Sequence, residues 1–104
     1  MPGGTRKAPT RYQQHYVSRE SIEWMASTAI RRTRYRGTDD EIFWKAAALV
    51  SLGKLAEAQF WDSVDGTIAC RASNPPAYFR RCLQEHAERD GMDLRQALAE
   101  VRLT

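Results

Sequence analysis

The chain is poor in the residues that catalysis and membrane insertion draw on. It has two cysteines, Cys70 and Cys82, and they form no CxxC pair. The simplest reading is a pair of reduced thiols in a cytosol. It has two histidines, His15 and His86. Histidine is the usual general base near neutral pH, so acid–base catalysis has few candidates. The longest apolar run, Ala46 to Val50, is far below the roughly 20 residues that span a bilayer. The opening stretch MPGGTRKAPTRYQQHY carries charge but no apolar segment, so no signal peptide is expected. There is no glycine-rich phosphate loop, no HExxH, and no nucleophile beside a paired base. Strand-like alternation, internal repeats and low-complexity runs are also absent. These gaps point away from an enzyme, a membrane protein and a β fold.

What is present is ordinary in amount and uneven in placement. With 104 residues, 42% of them apolar and 28% charged, the chain suits one small soluble domain with a single core. The net charge of +3 conceals an asymmetry. Residues 1–36 carry eight Lys/Arg and two Glu, a charge of +6, while 37–104 carry eight Lys/Arg and eleven Asp/Glu, a charge of −3. A basic first third on a mildly acidic remainder suggests one cationic surface facing an anionic partner. A solvated tail with a charged helix face is the plainer alternative.

Residues 1–16 hold Pro2, Gly3, Gly4 and Pro9 and almost no aliphatic side chains. They bury too little to offset ordering, so a flexible basic arm is expected there, with a single helical domain over 17–104. From Ser18, Ile22, Met25, Ala26, Ala29 and Ile30 form one apolar helix face. Trp24, Thr28, Arg31 and Tyr35 fall on a second stripe of the same predicted helix, which Gly37 is expected to stop. Thr38 to Glu41 reads as a capping box opening a helix over 39–52, apolar nearly all round and therefore central. Gly53 closes it. Leu55 and Phe60 make a hydrophobic staple across a cap at Ala56, with Phe60, Trp61, Val64 and Ile68 facing inward. Asn74-Pro75 caps a fourth helix to about Asp90, with Phe79, Cys82, Leu83 and His86 on one face. Gly91 ends it, and Asp93 with Gln96 caps a short fifth helix carrying Leu94, Ala97, Leu98 and Val101. The fold class is all-α: a compact bundle of about five short helices.

Three kinds of chemistry can be weighed against this frame. For a metal, Cys82 and His86 share a helix face, and Cys70 and His15 are the available partners. Their spacing is unrecognisable and the face is an inward one, so no metal is expected. For catalysis, Asp39, Asp40 and Glu41 are better explained as a helix start, and no catalytic residue is assigned. For nucleic acid, the segment RRTRYR offers Arg31, Arg32, Arg34 and Arg36 around Tyr35. Arg6, Lys7 and Arg11 in the arm add charge. Cations neutralise phosphates, and Trp24 or Tyr35 can stack bases. Trp24 can equally pack beneath a neighbouring helix, with an arginine over its ring. A helix-turn-helix over 46–68 is disfavoured by its acidic second helix, and no zinc-finger or RNA-recognition spacing occurs.

The segment Asn74-Pro75-Pro76-Ala77-Tyr78-Phe79-Arg80-Arg81-Cys82-Leu83 resembles the NPxxY…L helix of DnaD-like primosome domains and of some plasmid and phage replication proteins. Asn74, Pro75, Tyr78 and Leu83 carry the resemblance, which covers about a tenth of the chain. His86 stands where that family often has tryptophan. The resemblance implies DNA binding by this helix, with Tyr78, Arg80 and Arg81 near the contact.

The expected function is a small, non-enzymatic, cytoplasmic nucleic-acid-binding accessory protein, tied to replication or a mobile element, with DNA favoured over RNA and no cofactor. The alternative is a helical interaction subunit that docks on a larger protein, or pairs with itself as a homodimer, through an exposed aromatic patch. The surroundings of Trp24 discriminate the two: scattered arginines favour nucleic acid, a contiguous apolar patch favours a protein.

Overall fold

The computed structural model describes residues 18–102. Among these residues the fold is all-α: α1 (Ser18–Arg32), α2 (Glu41–Ser51), α3 (Glu57–Ala69), α4 (Pro75–Arg89) and α5 (Leu94–Glu100). The expected arm at 1–16, with Arg6, Lys7 and Arg11, lies outside the described residues, as does His15. No helix described is long and apolar enough to cross a membrane.

The bundle is two helical hairpins and a closing helix. α1 packs chiefly on α2, and α3 on α4. α2 touches all four other helices, the central place its all-round apolar sequence called for. Ala26 and Ala29 of α1 and Ala46 and Ala47 of α2 are fully buried. Small side chains on both helices let the two axes approach closely. At the centre Phe43, Phe60 and Phe79, from α2, α3 and α4, are fully buried. Phe79 lies 4.7 Å from Phe43 and 5.3 Å from Phe60 between ring centroids, the second pair edge to face. Such pairs contribute about 0.5–1.5 kcal/mol beyond the area they bury. Leu94, Leu98 and Val101 seal the open end of this core.

Local chemistry sets most helix ends as expected. Gly53 and Gly91, at φ +78° and +73°, follow α2 and α4 in the left-handed conformation. The next amides donate back five residues, Lys54 to Leu49 O at 2.9 Å and Met92 to Ala87 O at 2.8 Å. Asn74 and Asp93 accept the amides of Ala77 and Gln96 at the starts of α4 and α5. Ala56 opens α3 with no side-chain acceptor, while Gln59 Oε1 takes the Ala56 amide at 3.3 Å.

Three expectations fail, and the fold shows the reason for each. α1 ends at Arg32 instead of running to Gly37. Arg34 takes the left-handed position at φ +60°, and the Tyr35 amide donates back to Ile30 O at 3.1 Å. Tyr35 is therefore off the helix, and the stripe from Trp24 through Thr28 and Arg31 stops short of it. The capping box at Thr38 does not form: α2 starts at Glu41 after Asp40, with no side-chain cap bond. The Asp39 amide is taken instead by Tyr35 Oη at 2.8 Å, which holds 35–39 in a turn. Ile68, expected inside, is 38% exposed, and Ser63 and Thr67 are buried instead. Their hydroxyls donate to Gln59 O and Ser63 O along α3, and among the described residues no buried side-chain polar atom is left without a partner.

Candidate nucleic-acid interface

The connection between α1 and α2 and that between α3 and α4 lie at the same end of the bundle. Between them opens a groove of about 790 Å³. Arg32, Arg34 and Arg36 line it from the first connection, and Arg71 from the second. Tyr35, Ile68, Ala72 and Pro75 supply its apolar surface, and Thr33 and Ser73 its hydroxyls. Arg32 reaches across to α3, where Nη2 meets Asp65 Oδ1 at 2.7 Å. Both partners are well exposed, so the pair adds at most about 1 kcal/mol. Among the described residues no carboxylate pairs with Arg34, Arg36 or Arg71. The groove is thus a cationic recess with one charge offset.

The backbone that presents these arginines is unusual. Arg34 and Arg71 are the only non-glycine residues with positive φ among those described, at +60° and +50°. Arg71 follows α3 as Arg34 follows α1: the Ala72 amide donates back to Thr67 O at 3.3 Å. At this position an L side chain costs about 1–2 kcal/mol that glycine avoids. Tyr35 is fixed from three sides. Its hydroxyl holds the Asp39 amide, its ring tilts onto Phe43 at 6.3 Å, and its edge closes on Gly37. A Cβ at Gly37 would collide with that ring.

A second recess of about 500 Å³ lies on the other side of the Arg71–Ser73 turn. Tyr78, Arg81, Cys70 and Asn74 line it. Cys70 Sγ and Tyr78 Oη are 2.8 Å apart. That hydrogen bond, with the nearby thiols, raises the Tyr78 phenol above its usual 10.0. Both recesses sit at helix ends, and neither draws on the start of α4 for anion binding. Pro75 and Pro76 have no amide hydrogen, and the amides of Ala77 and Tyr78 are spent on Asn74. An anion here meets guanidinium groups rather than a helix N-terminus.

The sequence-derived candidates therefore divide. Arg32, Arg34, Tyr35 and Arg36 come together in the groove, and Tyr78 and Arg81 lie in the adjoining recess. Arg31 and Arg80 are exposed and line neither. Trp24 stands apart on α1, 60% exposed, edge-on to Trp61 of α3 at 5.6 Å. Trp61 is half buried and donates from Nε1 to Glu57 at 3.0 Å. Arg71 and Ile68 were not assigned from sequence. In the sequence Arg71 stands out only as a basic residue ahead of the Arg80-Arg81 pair, because no glycine follows α3 to mark its end; Ile68 is hidden by its fit to the inward stripe.

The metal and catalytic alternatives find different geometry. His86 Nε2 is 2.9 Å from Asp62 Oδ2, and its Nδ1 is 3.0 Å from Arg89 Nη2. A guanidinium only donates, so Nδ1 accepts and Nε2–H points at the carboxylate. That tautomer ties α3 to α4. Cys82 is half buried, and burial pushes its thiol above the ordinary 9.0. Among the described residues no three His, Cys, Asp or Glu side chains gather to hold a metal.

No family model, no curated protein and no solved structure matches this chain.

Proposed function

We propose that this protein is a small, non-enzymatic nucleic-acid-binding accessory protein, and that the arginine groove is its contact surface. One observation carries the reading. Arg34 and Arg36 come from one connection and Arg71 from another, yet they line one recess, and no carboxylate among the described residues pairs with them. The helix dipole accounts for Arg31 and Arg32 in the last turn of α1. It does not account for Arg36, four residues beyond the helix. Tyr78 and Arg81 beside the groove accord with the resemblance of residues 74–83 to DnaD-like domains, and a role in replication or on a mobile element is proposed on that resemblance alone.

The test is a fluorescence-anisotropy titration of labelled oligonucleotides at low and moderate salt. Each phosphate contact contributes about −0.7 to −0.9 to the slope of log K on log salt. Three to four contacts therefore give a slope of about −2 to −3.5. Arg34→Gln/Arg36→Gln/Arg71→Gln should flatten it. An unchanged slope in that variant would reject the groove as the contact.

A second reading has its own observation. Trp24, 60% exposed on Trp61, is the kind of residue that anchors protein interfaces. An adaptor that docks through Trp24 would lose its protein partner in Trp24→Ala and keep any nucleic-acid affinity.

A further inference from the structure

Resting on that reading, we infer that the groove takes an unpaired stretch of nucleic acid, DNA or RNA, and not a duplex. Three features lead there.

The first is the shape of the cationic surface. A protein reads duplex DNA by inserting a helix or ribbon into a major groove about 12 Å wide. Here the unpaired arginines line a recess, and they sit on turns. Among the described residues no helix offers a continuous basic face to insert. α1 mixes Arg19, Arg31 and Arg32 with Glu20 and Glu23, and α4 mixes Arg80, Arg81 and Arg89 with Glu85 and Glu88. α3, which borders the groove, carries Glu57, Asp62 and Asp65 and no Lys or Arg at all.

The second is size. At about 790 Å³ the groove falls within the range of about 300–1,000 Å³ that holds a drug-sized molecule. A splayed nucleotide is of that scale; a base within a stacked duplex enters only after unpairing and unstacking at a cost of a few kcal/mol, about the cost of base flipping.

The third is the pairing of surfaces. Charge stands beside apolar area: Arg34, Arg36 and Arg71 with Ile68, Pro75 and the Tyr35 ring. Ile68 is 38% exposed there, although Val64 and Thr67 beside it on α3 are buried. Backbone phosphates and an unstacked base need just these two surfaces together, and a duplex exposes only the first. The Arg71–Ser73 turn then carries the strand toward Tyr78 and Arg81 in the second recess.

The experiment uses the full chain and labelled oligonucleotides of one sequence as single-stranded DNA, single-stranded RNA and duplex DNA. Four proteins are compared: the natural chain, Arg34→Gln/Arg71→Gln, Ile68→Asn and Ile68→Leu, each checked for helicity and melting. Single strands of either sugar are expected to bind at least tenfold tighter than duplex. Ile68→Asn should weaken single-strand binding about threefold to tenfold with its salt slope unchanged, because the phosphate contacts remain. Ile68→Leu should restore it. Duplex binding equal to or tighter than single strand, and weakened by the arginine changes, would overturn this inference and leave the proposed function standing. Unchanged single-strand affinity in Ile68→Asn would also overturn it, since no base would then occupy the groove. No binding of any form at low salt would overturn both.

Discussion

Arg34 and Arg71 occupy equivalent positions at the ends of two different helices. Each is the left-handed residue after a helix, at φ +60° and +50°, and each faces the same groove. The two equivalent positions elsewhere in the fold, after α2 and α4, are Gly53 and Gly91. Glycine is thus used where the chain only turns, and arginine where the turn borders the recess. Backbone strain of this kind commonly marks functional sites.

This contrast sets the first prediction. Arg34→Gly and Arg71→Gly should each stabilise the fold by about 1 kcal/mol, because glycine removes the left-handed penalty. In a domain this size that raises the melting midpoint by about 4–8 °C. Both should weaken oligonucleotide binding. Thermal melts read beside anisotropy would show stability and affinity moving in opposite directions; a loss of both would mean the arginines serve the fold.

A side chain at Gly37 should cost stability. Its backbone lies against the Tyr35 ring, so Gly37→Ala must push the ring away and release the Asp39 amide. A cost of about 1–2 kcal/mol is expected, the scale of overpacking and one lost hydrogen bond. In a double-mutant cycle with Tyr35→Ala the two effects should be strongly non-additive. Additivity would show that the clash is relieved elsewhere.

Ala56 is an incomplete cap. Gln59 already supplies one half of the reciprocal pair by accepting the Ala56 amide. Serine at 56 would supply the other half, accepting from the Gln59 amide. Ala56→Ser is expected to add about 1 kcal/mol in chemical denaturation. A change within experimental scatter would place the start of α3 elsewhere.

The two thiols should separate by reactivity and by pH. Cys70 is exposed and should react first with a thiol reagent, while Cys82 lags. Burial raises Cys82 above its ordinary 9.0, so the folded chain keeps that proton longer than the unfolded chain. The unfolded state binds fewer protons in that window, and stability falls as pH rises from the ordinary value through the raised one. The contribution is fully present below pH 9.0. Urea midpoints should therefore drop above that pH less steeply in Cys82→Ala than in the natural chain. Equal slopes would remove Cys82 as a cause.

The sequence by itself determined the elements. Five helices, their apolar faces and the caps at Asn74 and Asp93 follow from interactions within a few residues of each other. So does the central place of α2, since a helix apolar nearly all round must be covered on most of its sides. The ends marked by glycine, after α2 and α4, were equally legible. The ends marked by arginine were not, because the left-handed conformation there is held by the rest of the fold against local preference. Tertiary structure alone decided that the 32–36 segment and Arg71 share one recess. Those residues are more than 30 apart in the chain, and only the side-by-side packing of two hairpins brings their connections together. It decided as well that Ile68 faces out and Thr67 in. The helical period allows either, and the side chains that fill the core from α2 and α4 choose between them.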